Sequence, residues 1–472
     1  MPLILGTNSI KDTGFNVSNS LRFNSASSDY LYQTHGTPTN AKKYTISTWL
    51  KTSTLGSSQR YLGYNGGSDW FVVGATGANK ITYTEVLSDT TIGSLTPTAV
   101  SRDTSAWLNI VIAYDSTQGT EANRVKYYSN GVQITSFSAS TYPSQNQDSY
   151  INSGNPFLLG AYGTNGSPEQ LFNGYLSEFV FIDGTAYDQT SFGEFDEDSG
   201  IWKPIDVSGL TFGNNGFYLP FENSGALGQD DSGNGNNFTV NNLTSIDQST
   251  DTCTNNFATL NVLDGNLGNS TFSEGNLRFN SEDGANKCWM RSTIGVSSGK
   301  WYFEAKVQTA GNNCAIGISD RPSPDFNSTE LGAGAYDYSY QSANSGNKYN
   351  NGSQSSYGDT YTDDDIVSCA LDLDNLKVYF GKNGTWQNSG NPTNGTNPAF
   401  TITAPSLTNH GFYFFCLGDL TGANNVIWLA NFGSPAFAIS SGNSDGNGYG
   451  NFEYSVPSGY YALNTKNLAE YG

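Results

Sequence analysis

The acidic residues Glu194, Asp196 and Asp198 have the spacing that comes nearest to a catalytic pattern in this sequence. Residues two apart in an extended strand point to the same side, so the three carboxylates would share one face. A pair of such carboxylates, one acting as nucleophile and one as acid, cleaves glycosidic bonds. The stretch is equally typical of an acidic connector. Because short motifs often match by chance, we favour the connector and predict no catalytic residue.

The sequence has few residues that could form a histidine-dependent catalytic site or a zinc site. The chain carries two histidines, His35 and His410, and the second lies in an Asn-His-Gly turn. The cysteines and histidines are not clustered as a zinc site requires. We therefore predict a protein that binds a partner and does not catalyse a reaction.

A calcium loop is the metal site that the sequence fits best. Asp230, Ser232 and Asn234 place oxygen atoms on alternate residues ahead of Gly235, like the start of an oxygen-ligand calcium loop. The glutamate that closes such a loop is replaced by Asn241. The stretch therefore fits either a Ca²⁺ site or a hydrated Asn/Gly turn. We favour the turn and predict no other cofactor.

Aromatic residues beside amide and carboxylate groups form the pattern that suits carbohydrate binding, because sugar rings stack on aromatic faces while polar groups bond to hydroxyls. Alternation within 336–340 would place its three tyrosines on one face of an extended segment. Tyrosine is enriched at every kind of interface, so the same residues could instead cover a sandwich edge or contact a neighbouring subunit. The candidate carbohydrate-binding residues are Tyr64, Asp69, Trp70, Tyr336, Tyr338, Tyr340 and Trp386.

The composition indicates the scaffold that must position these residues. Of 472 residues, 14% are aromatic, 13% are charged and 54 are glycine. Aromatic side chains fill the space between packed sheets, and glycine and asparagine supply the positive φ angles of tight turns. Runs of helix-forming residues are scarce. The sequence predicts an all-β protein with two tandem β-sandwich, or jelly-roll, domains.

Charge and hydropathy exclude several classes of partner. The net charge of −21 disfavours nucleic acid, whose phosphates require clustered Lys and Arg. No run of apolar residues approaches the 18 or so that span a bilayer, so we predict no membrane insertion. The five cysteines include no CxxC pair, and we interpret them as free thiols made in a reducing compartment.

A repeated pentapeptide suggests the domain boundaries. Leu21–Ser25 recurs letter for letter as Leu277–Ser281, each time at the head of a strand-rich block. A short match gains weight from such a position. We expect an N-terminal arm over 1–16 that attaches to a virion, a first sandwich over 17–195, a connector over 196–275 packed on a domain, and a second sandwich over 276–472.

The first block resembles the laminin-G-like, concanavalin A-like jelly rolls. The residues that carry the resemblance are Tyr44–Lys51, Trp107–Ile112, the hairpin Val125–Gly131 and the closing strand Phe172–Phe179. The resemblance implies a sandwich fold that hosts lectins, adhesion modules and glucanases. Glucanases of this fold carry Glu-x-Asp-x-(x)-Glu within the sheet. Here Asp198 replaces the last glutamate and the acidic stretch follows the closing strand, which places hydrolysis in doubt.

The second block resembles a SPRY domain. The matching residues are Ser298–Ala305, Ala315–Ser319, Asp364–Asp374, Val378–Gly384 and Asn431–Gly433. SPRY domains are binding modules whose loops define the partner. The resemblance therefore implies a second binding module and leaves its ligand open.

The order of the two blocks behind the leader Leu3–Gly14 resembles virion proteins of marine tailed bacteriophages. This implies a tail-fibre or receptor-binding protein on the virion, made in the host cytoplasm, that recognises host-surface polysaccharide. Its expected partners are other virion proteins and further copies of itself, as in a trimer. Two alternatives stay open: a capsid or tail decoration protein with purely structural contacts, and a polysaccharide depolymerase using Glu194, Asp196 and Asp198.

Overall fold

Short apolar stretches separated by glycine and asparagine turns become strands in the structure. The computed structural model describes residues 9–263, 270–281, 287–311, 314–321, 329–342, 346–420 and 425–472. The chain forms two compact units. The first unit is Thr13–Thr254, and the second combines Asn255–Gly472 with residues 9–12. The predicted all-β class is confirmed.

The strands of the first unit, numbered in chain order, are β1 Ser20–Phe23, β2 Tyr30–Gln33, β3 Lys43–Thr52, β4 Gln59–Asn65, β5 Trp70–Ala75, β6 Ile81–Leu87, β7 Thr90–Pro97, β8 Leu108–Asp115, β9 Val125–Ser129, β10 Val132–Ile134, β11 Phe137–Thr141, β12 Phe157–Leu159, β13 Tyr162–Thr164, β14 Ser167–Glu169, β15 Gly174–Asp183, β16 Gly193–Phe195, β17 Trp202–Pro204, β18 Phe217–Leu219, β19 Thr239–Asn241 and β20 Gln248–Ser249. Short 3₁₀ helices cover Glu121–Asn123, Gln189–Ser191 and Ser245–Asp247.

Two large antiparallel sheets form the sandwich of the first unit, and β13-β14 and β16-β17 are separate two-stranded sheets. One large sheet runs β10-β9-β8-β3-β15-β1-β20 with β18 paired to β15, and the other runs β11-β7-β6-β5-β4-β12-β2-β19. Alternate residues of each strand fill the space between the sheets. Ile110, Ile112 and Tyr114 of β8 belong to this core. Their neighbours on the same strand therefore face outward.

Residues after the closing strand β15 extend the sandwich. The strands β18, β19 and β20 pair with β15, β2 and β1 of the two sheets. Lys51 and Asp251 form a fully buried ion pair, with 2.7 Å between Nζ and Oδ2. The indole of Trp107 donates to the same carboxylate at 3.0 Å. The segment up to Thr254 is thus part of the first unit, and 255–275 belongs to the second.

The strands of the second unit are β21 Ser270–Ser273, β22 Arg278–Ser281, β23 Cys288–Arg291, β24 Lys300–Thr309, β25 Cys314–Ser319, β26 Tyr338–Gln341, β27 Asn347–Asn350, β28 Ser353–Ser356, β29 Ile366–Asp372, β30 Lys377–Lys382, β31 Thr385–Trp386, β32 Phe400–Thr401, β33 Phe414–Asp419, β34 Val426–Asn431 and β35 Tyr461–Ala462. Two 3₁₀ helices, Gln387–Ser389 and Pro405–Leu407, and an α-helix, α1 Thr465–Tyr471, complete the described elements.

The described strands of the second unit again form two facing sheets. One follows the order β21-β22-β34-β24-β29-β30-β31, with β32 beside β30 and β35 beside β24, and the other follows β23-β33-β25-β26-β27-β28. Trp301, Phe303 and Trp428 are fully buried between them. No helix among the described residues is long and apolar enough to cross a bilayer.

The repeated pentapeptide lies on equivalent strands of the two sheets: β1 lies beside β15, which pairs with β3, and β22 lies beside β34, which pairs with β24. Its first copy supplies β1, and its second copy supplies β22, which follows β21. Asn255–Asn261 precede β21 and β22 and belong to the second unit, in which Ala258 N donates to Leu463 O at 3.0 Å. The repeat therefore marks strands and not the beginning of the second unit.

The buried pair Lys51–Asp251 generates a prediction about stability. Replacing Lys51 with Met leaves the Asp251 carboxylate buried without its cation, so we expect a loss of about 3–5 kcal/mol in the free energy of unfolding, measured by urea denaturation. The matched control is Lys42→Met, whose partner Asp148 is largely exposed, and which should cost less than about 1 kcal/mol. Equal effects in the two variants would contradict this account.

Candidate functional site

The acidic stretch lies outside the main sheets. Glu194 belongs to β16, which forms a two-stranded hairpin with β17. The ammonium of Lys203 lies 3.4 Å from carboxylate oxygens of both Glu194 and Asp196. The Asp196 carboxylate also accepts hydrogen bonds from the amide and hydroxyl of Ser199. These contacts tie the carboxylates to the hairpin.

His35 is unsuited to act as a base. Its ring lies among the core aromatics Phe157, Phe181 and Phe217, with 4.0 Å between the centroids of His35 and Phe157. Burial lowers the pKa of His35 to about 3, although the nearby Asp183 carboxylate opposes the shift. The imidazole is therefore a neutral member of the sandwich core.

The candidate calcium loop is a turn organised by the Asp230 carboxylate. Its Oδ1 accepts from the amides of Tyr218 and Ser232, both at 2.9 Å, and its Oδ2 accepts from the Asn236 amide at 2.7 Å and the Ser232 hydroxyl at 2.9 Å. The Asn234 side chain donates to backbone carbonyls. Protein donors therefore occupy the carboxylate that would have to lead a calcium site.

The tyrosines of 336–340 correct a sequence prediction. Tyr338 and Tyr340 do share one face of β26, but it is the core face, and both are buried. Tyr338 lies 5.3 Å from Phe400 and Tyr340 lies 5.8 Å from Phe380, centroid to centroid. Tyr336 is half-buried against the same core. Their alternation reflects strand packing, so the proposed exposed tyrosine surface is wrong for Tyr338 and Tyr340.

The residues around the β4–β5 turn do not form one surface. Tyr64 pairs in register with the core residue Phe71, whereas Trp70 pairs with Asn65 and Val86. Successive residues of a strand face opposite ways, so the register places Tyr64 and Trp70 on opposite faces. Asp69 accepts a hydrogen bond from the Ser88 amide. Trp70 packs edge-on against Tyr162, with 6.3 Å between ring centroids.

A recess that sequence reasoning missed opens on the outer face of the first unit. It has a volume of about 260 Å³. We call it the outer recess, and its lining residues are Ala113, Asp115, Gln118, Asn123, Lys126, Tyr128, Ala186, Tyr187 and Asp188.

Strand alternation builds the floor of the outer recess. Ala113 and Lys126 are paired across β8 and β9, and Tyr128 follows on the same face of β9. Farther along this face, Val111 and Tyr128 are covered by the segment that carries Tyr187 and Phe192. The outer recess lies at the end of the segment that carries Tyr187 and Phe192. The small side chain of Ala113 leaves space there.

Two carboxylates give the outer recess its electrostatic character. Asp115 accepts from Thr117 and Gln118 and pairs with Lys43 at 3.2 Å. Burial would raise the pKa of Asp115, but these bonds outweigh it and hold the pKa below its usual value. Burial and the Asp188 carboxylate raise the pKa of Tyr128, so its hydroxyl remains protonated.

Several polar groups of the outer recess remain available. Asp188 uses Oδ1 to accept from the amide and hydroxyl of Thr190. Among the described residues, no side-chain hydrogen bond or ion pair engages Asn123, Lys126 or the hydroxyl of Tyr187. The recess therefore presents free donors and acceptors side by side. A search for aromatic turns could not find it, because its residues come from two distant stretches of the chain, 113–128 and 186–188.

Trp386 lines a pocket in the second unit. The pocket has a volume of about 250 Å³ and is lined by Tyr302, Ser368, Gly381, Gly384, Trp386, Tyr454 and Ser455. The Trp386 and Tyr302 rings are nearly perpendicular, with 6.3 Å between centroids. Trp386 is thus a predicted aromatic candidate that does line a cavity. We call this cavity the Trp386 pocket.

Comparison with known families identifies two domains in this chain. Residues 25–189 match the concanavalin A-like lectin/glucanases superfamily, and residues 300–404 match the SPRY domain. The chain therefore carries a concanavalin A-like domain followed by a SPRY domain, as predicted. Both are domains of the binding type, although the concanavalin A-like superfamily includes glucanases.

Curated relatives match over short segments. The ATP-dependent RNA helicase DDX1 of Xenopus laevis is 35% identical over 94 residues, which is 20% of this chain and 12% of that protein. The Drosophila melanogaster Ddx1 helicase is 35% identical over 155 residues, 32% of this chain and 18% of that protein. The chain thus spans less than a fifth of the length of either relative.

Solved structures that match part of this chain include the SPRY domain of human HERC1. It is 22% identical, covers 34% of this chain and 91% of its own, and has a TM-score of 0.27. A carbohydrate-binding-protein candidate from Bacteroides ovatus is 16% identical, covers 48% of this chain and 59% of its own, and has a TM-score of 0.35.

The hydrogen bonds around Asp230 generate a prediction about calcium. Because protein donors already occupy both carboxylate oxygens, we expect the melting temperature of the chain to be the same in millimolar CaCl₂ and in EDTA. Differential scanning calorimetry of the wild type and of Asp230→Asn checks this. A calcium-dependent rise in the wild type that disappears in Asp230→Asn would establish the calcium site instead.

Proposed function

We propose that this chain is a virion surface protein of the tail-fibre or receptor-binding class that recognises host-surface glycan, and that the outer recess holds one saccharide residue. The concanavalin A-like fold of the first unit is consistent with carbohydrate binding. The observation that carries the proposal is the set of free donors and acceptors gathered in the outer recess.

The chemistry of the outer recess suits a neutral sugar. Each sugar hydroxyl both donates and accepts, so it is matched by a site that offers both kinds of group. The free oxygen of Asp188 accepts, the ammonium of Lys126 donates, and the amide of Asn123 does both. Tyr187 is half-buried and supplies an apolar ring surface at the wall. Two carboxylates in one small recess disfavour an anionic ligand.

The shape of the outer recess supports a ligand of limited size. Its volume of about 260 Å³ lies just below the range of about 300–1,000 Å³ for sites that enclose drug-sized ligands. One sugar ring is smaller than such ligands. We therefore propose a site for a terminal or branching residue of a polysaccharide, with the rest of the chain in solvent.

The virion location rests on the resemblance of the domain order and leader to phage virion proteins. In that setting the protein is made in the host cytoplasm and incorporated into the particle. Its partners are other virion proteins and further copies of itself, for which a trimer is the arrangement to test. Four of the five cysteines are buried free thiols and Cys253 is half-buried, which is compatible with synthesis in a reducing compartment.

The two alternative functions make different demands on the structure. A decoration protein with purely structural contacts needs no saccharide in the outer recess. A depolymerase needs free carboxylates, whereas Glu194 and Asp196 share the ammonium of Lys203. The depolymerase is therefore the weaker alternative.

A binding experiment with matched variants tests the proposed site. The full-length protein should bind host-surface polysaccharide on a glycan array and adsorb to host cells. Asn123→Ala removes a hydrogen-bonding group from the outer recess, so we expect affinity to fall about three- to tenfold in isothermal titration calorimetry. Ala186→Leu should reduce binding by occupying the recess while leaving its polar groups intact.

The matched control is Gln133→Ala, which removes an exposed amide from β10, away from the outer recess. It should bind like the wild type. Absence of glycan binding and of cell adsorption in the wild type would refute the proposal and favour the decoration protein. Binding that all three variants retain would place the saccharide elsewhere on the chain.

A further inference from the structure

The Trp386 pocket of the second unit is built over a row of small residues. In the registered strands, Glu304 of β24 pairs with Ser368 of β29, Ser368 pairs with Gly381 of β30, and Gly381 pairs with Trp386 of β31. Trp301, Phe303 and Ala305 lie in the core, so Glu304 and this row face outward. The pocket exists because Ser368 and Gly381 leave the space beside Trp386 unfilled.

Aromatic rings form the walls of the Trp386 pocket. The ring of Tyr302 stands at 68° to that of Trp386, with 6.3 Å between centroids. The Tyr454 ring lies over Gly384, where a Cβ atom would come within 2.6 Å of it. Trp386 and Tyr454 are partly exposed at this cavity, and Tyr302, which also lines it, is only 1% exposed. Their faces carry the negative end of the ring quadrupole.

A buried carboxylate lies directly behind these rings. Oε1 of Glu304 accepts from the Tyr302 hydroxyl at 2.7 Å and from the Tyr454 amide at 2.9 Å. Oε2 accepts from the Glu453 amide at 2.9 Å. The Tyr302 hydroxyl also lies 3.1 Å from the hydroxyl of Ser368. Glu304 thus holds the Tyr302 hydroxyl and the Tyr454 backbone in place. It does not line the cavity itself, but it is hydrogen-bonded to Tyr302, which does.

The lysines near Glu304 form ion pairs with other carboxylates. Lys306, the next residue on the outer face of β24, pairs with Asp364 at 2.8 Å, and Lys382 pairs with Asp365 at 3.0 Å. Glu453, which adds a further negative charge, bonds to Ser440. No lysine or arginine of the described residues pairs with Glu304.

We infer that the Trp386 pocket binds an organic cation of the alkylammonium class, with its charge against the rings of Trp386 and Tyr454 and near the buried pair of Tyr302 and Glu304. Aromatic faces attract such cations, and the attraction is strongest at Trp. The carboxylate behind the rings adds a Coulombic term that a neutral ligand does not gain. The net charge of −21 favours the approach of a cation.

The protonation of Glu304 makes this inference pH-dependent. Burial raises the pKa of Glu304 to about 7, while the hydrogen bonds from Tyr302, Tyr454 and Glu453 oppose the shift and the Glu453 charge adds to it. A cation is attracted to the ionised form. Its affinity should therefore rise as pH increases from about 6 to about 8, and a bound cation should favour loss of the proton.

Titration calorimetry of the full chain with choline tests the inference, with 3,3-dimethylbutan-1-ol as its neutral isostere. We expect choline to bind and the isostere to bind at least about tenfold more weakly. Trp386→Ala should lower choline affinity by about tenfold, and Trp386→Phe, which keeps a ring, should lower it less. N-acetyl-lysine methylamide, as a second probe, distinguishes a side-chain ammonium from a quaternary one.

Glu304→Gln separates the charge from the shape of the Trp386 pocket. It should weaken choline binding at pH 8 and abolish the pH dependence, and circular dichroism checks that it folds. Phe195→Ala, which removes an exposed aromatic ring from the other unit, is the control that should leave binding unchanged. The inference is overturned if neither cation binds, if the isostere binds as tightly as choline, or if Trp386→Ala and Glu304→Gln both bind like the wild type.

Discussion

The two-residue alternation of the β-strand governs the structure of both units. Alternate side chains of each strand point into the core, and the remaining side chains point to the outer face of the sheet. In the first unit this outer face is covered by the segment that carries Phe192 and Phe212, packed on Val111, Val180 and Ile182. In the second unit the outer face is covered by Phe257, Phe452 and Tyr460. Both cavities described above open where that cover ends.

The two cavities share one feature: each has a small residue at the edge of the segment that covers the outer face of the sheet. Ala113 stands at this position in the outer recess, and Gly381 and Ser368 do so in the Trp386 pocket. The chemistry around them differs. The outer recess combines free donors and acceptors with Tyr187, as suits a polyhydroxyl ligand. The Trp386 pocket combines three aromatic rings with a buried carboxylate, as suits a cation.

Buried carboxylates hold each sandwich in a single arrangement. In the first unit, Glu85 accepts from the hydroxyls of Tyr44 and Tyr83 at 2.7 and 2.6 Å and from the Ser149 hydroxyl at 2.8 Å. Such satisfied polar groups restrict the ways in which apolar strands can pair. Glu304 has a comparable set of donors in the second unit, with the difference that one donor, Tyr302, also lines a cavity.

The sequence predicted the fold class, the two domain families and the hairpin at Asn130-Gly131, because strand alternation and Asn-Gly turns are local signals. The sequence did not show which tyrosines lie in the core and which are exposed. Tyr338 and Tyr340 have the spacing of a binding face, but the register of β26 directs them inward. The outer recess could not be predicted, because Ala113, Asn123 and Tyr187 meet only through strand pairing. Trp386 was singled out because it follows a glycine turn, and it lines a pocket in the second unit.

A crystal structure of the full chain with a bound fragment of host-surface polysaccharide tests the central claim most directly. We predict an intact sugar residue above Ala113, with hydroxyls bonded to Asp188 and Asn123 and a ring face against Tyr187. A sugar bound elsewhere with the outer recess empty would contradict this assignment. A fragment cleaved beside Glu194 and Asp196 would contradict the larger claim that the protein binds glycan without hydrolysing it.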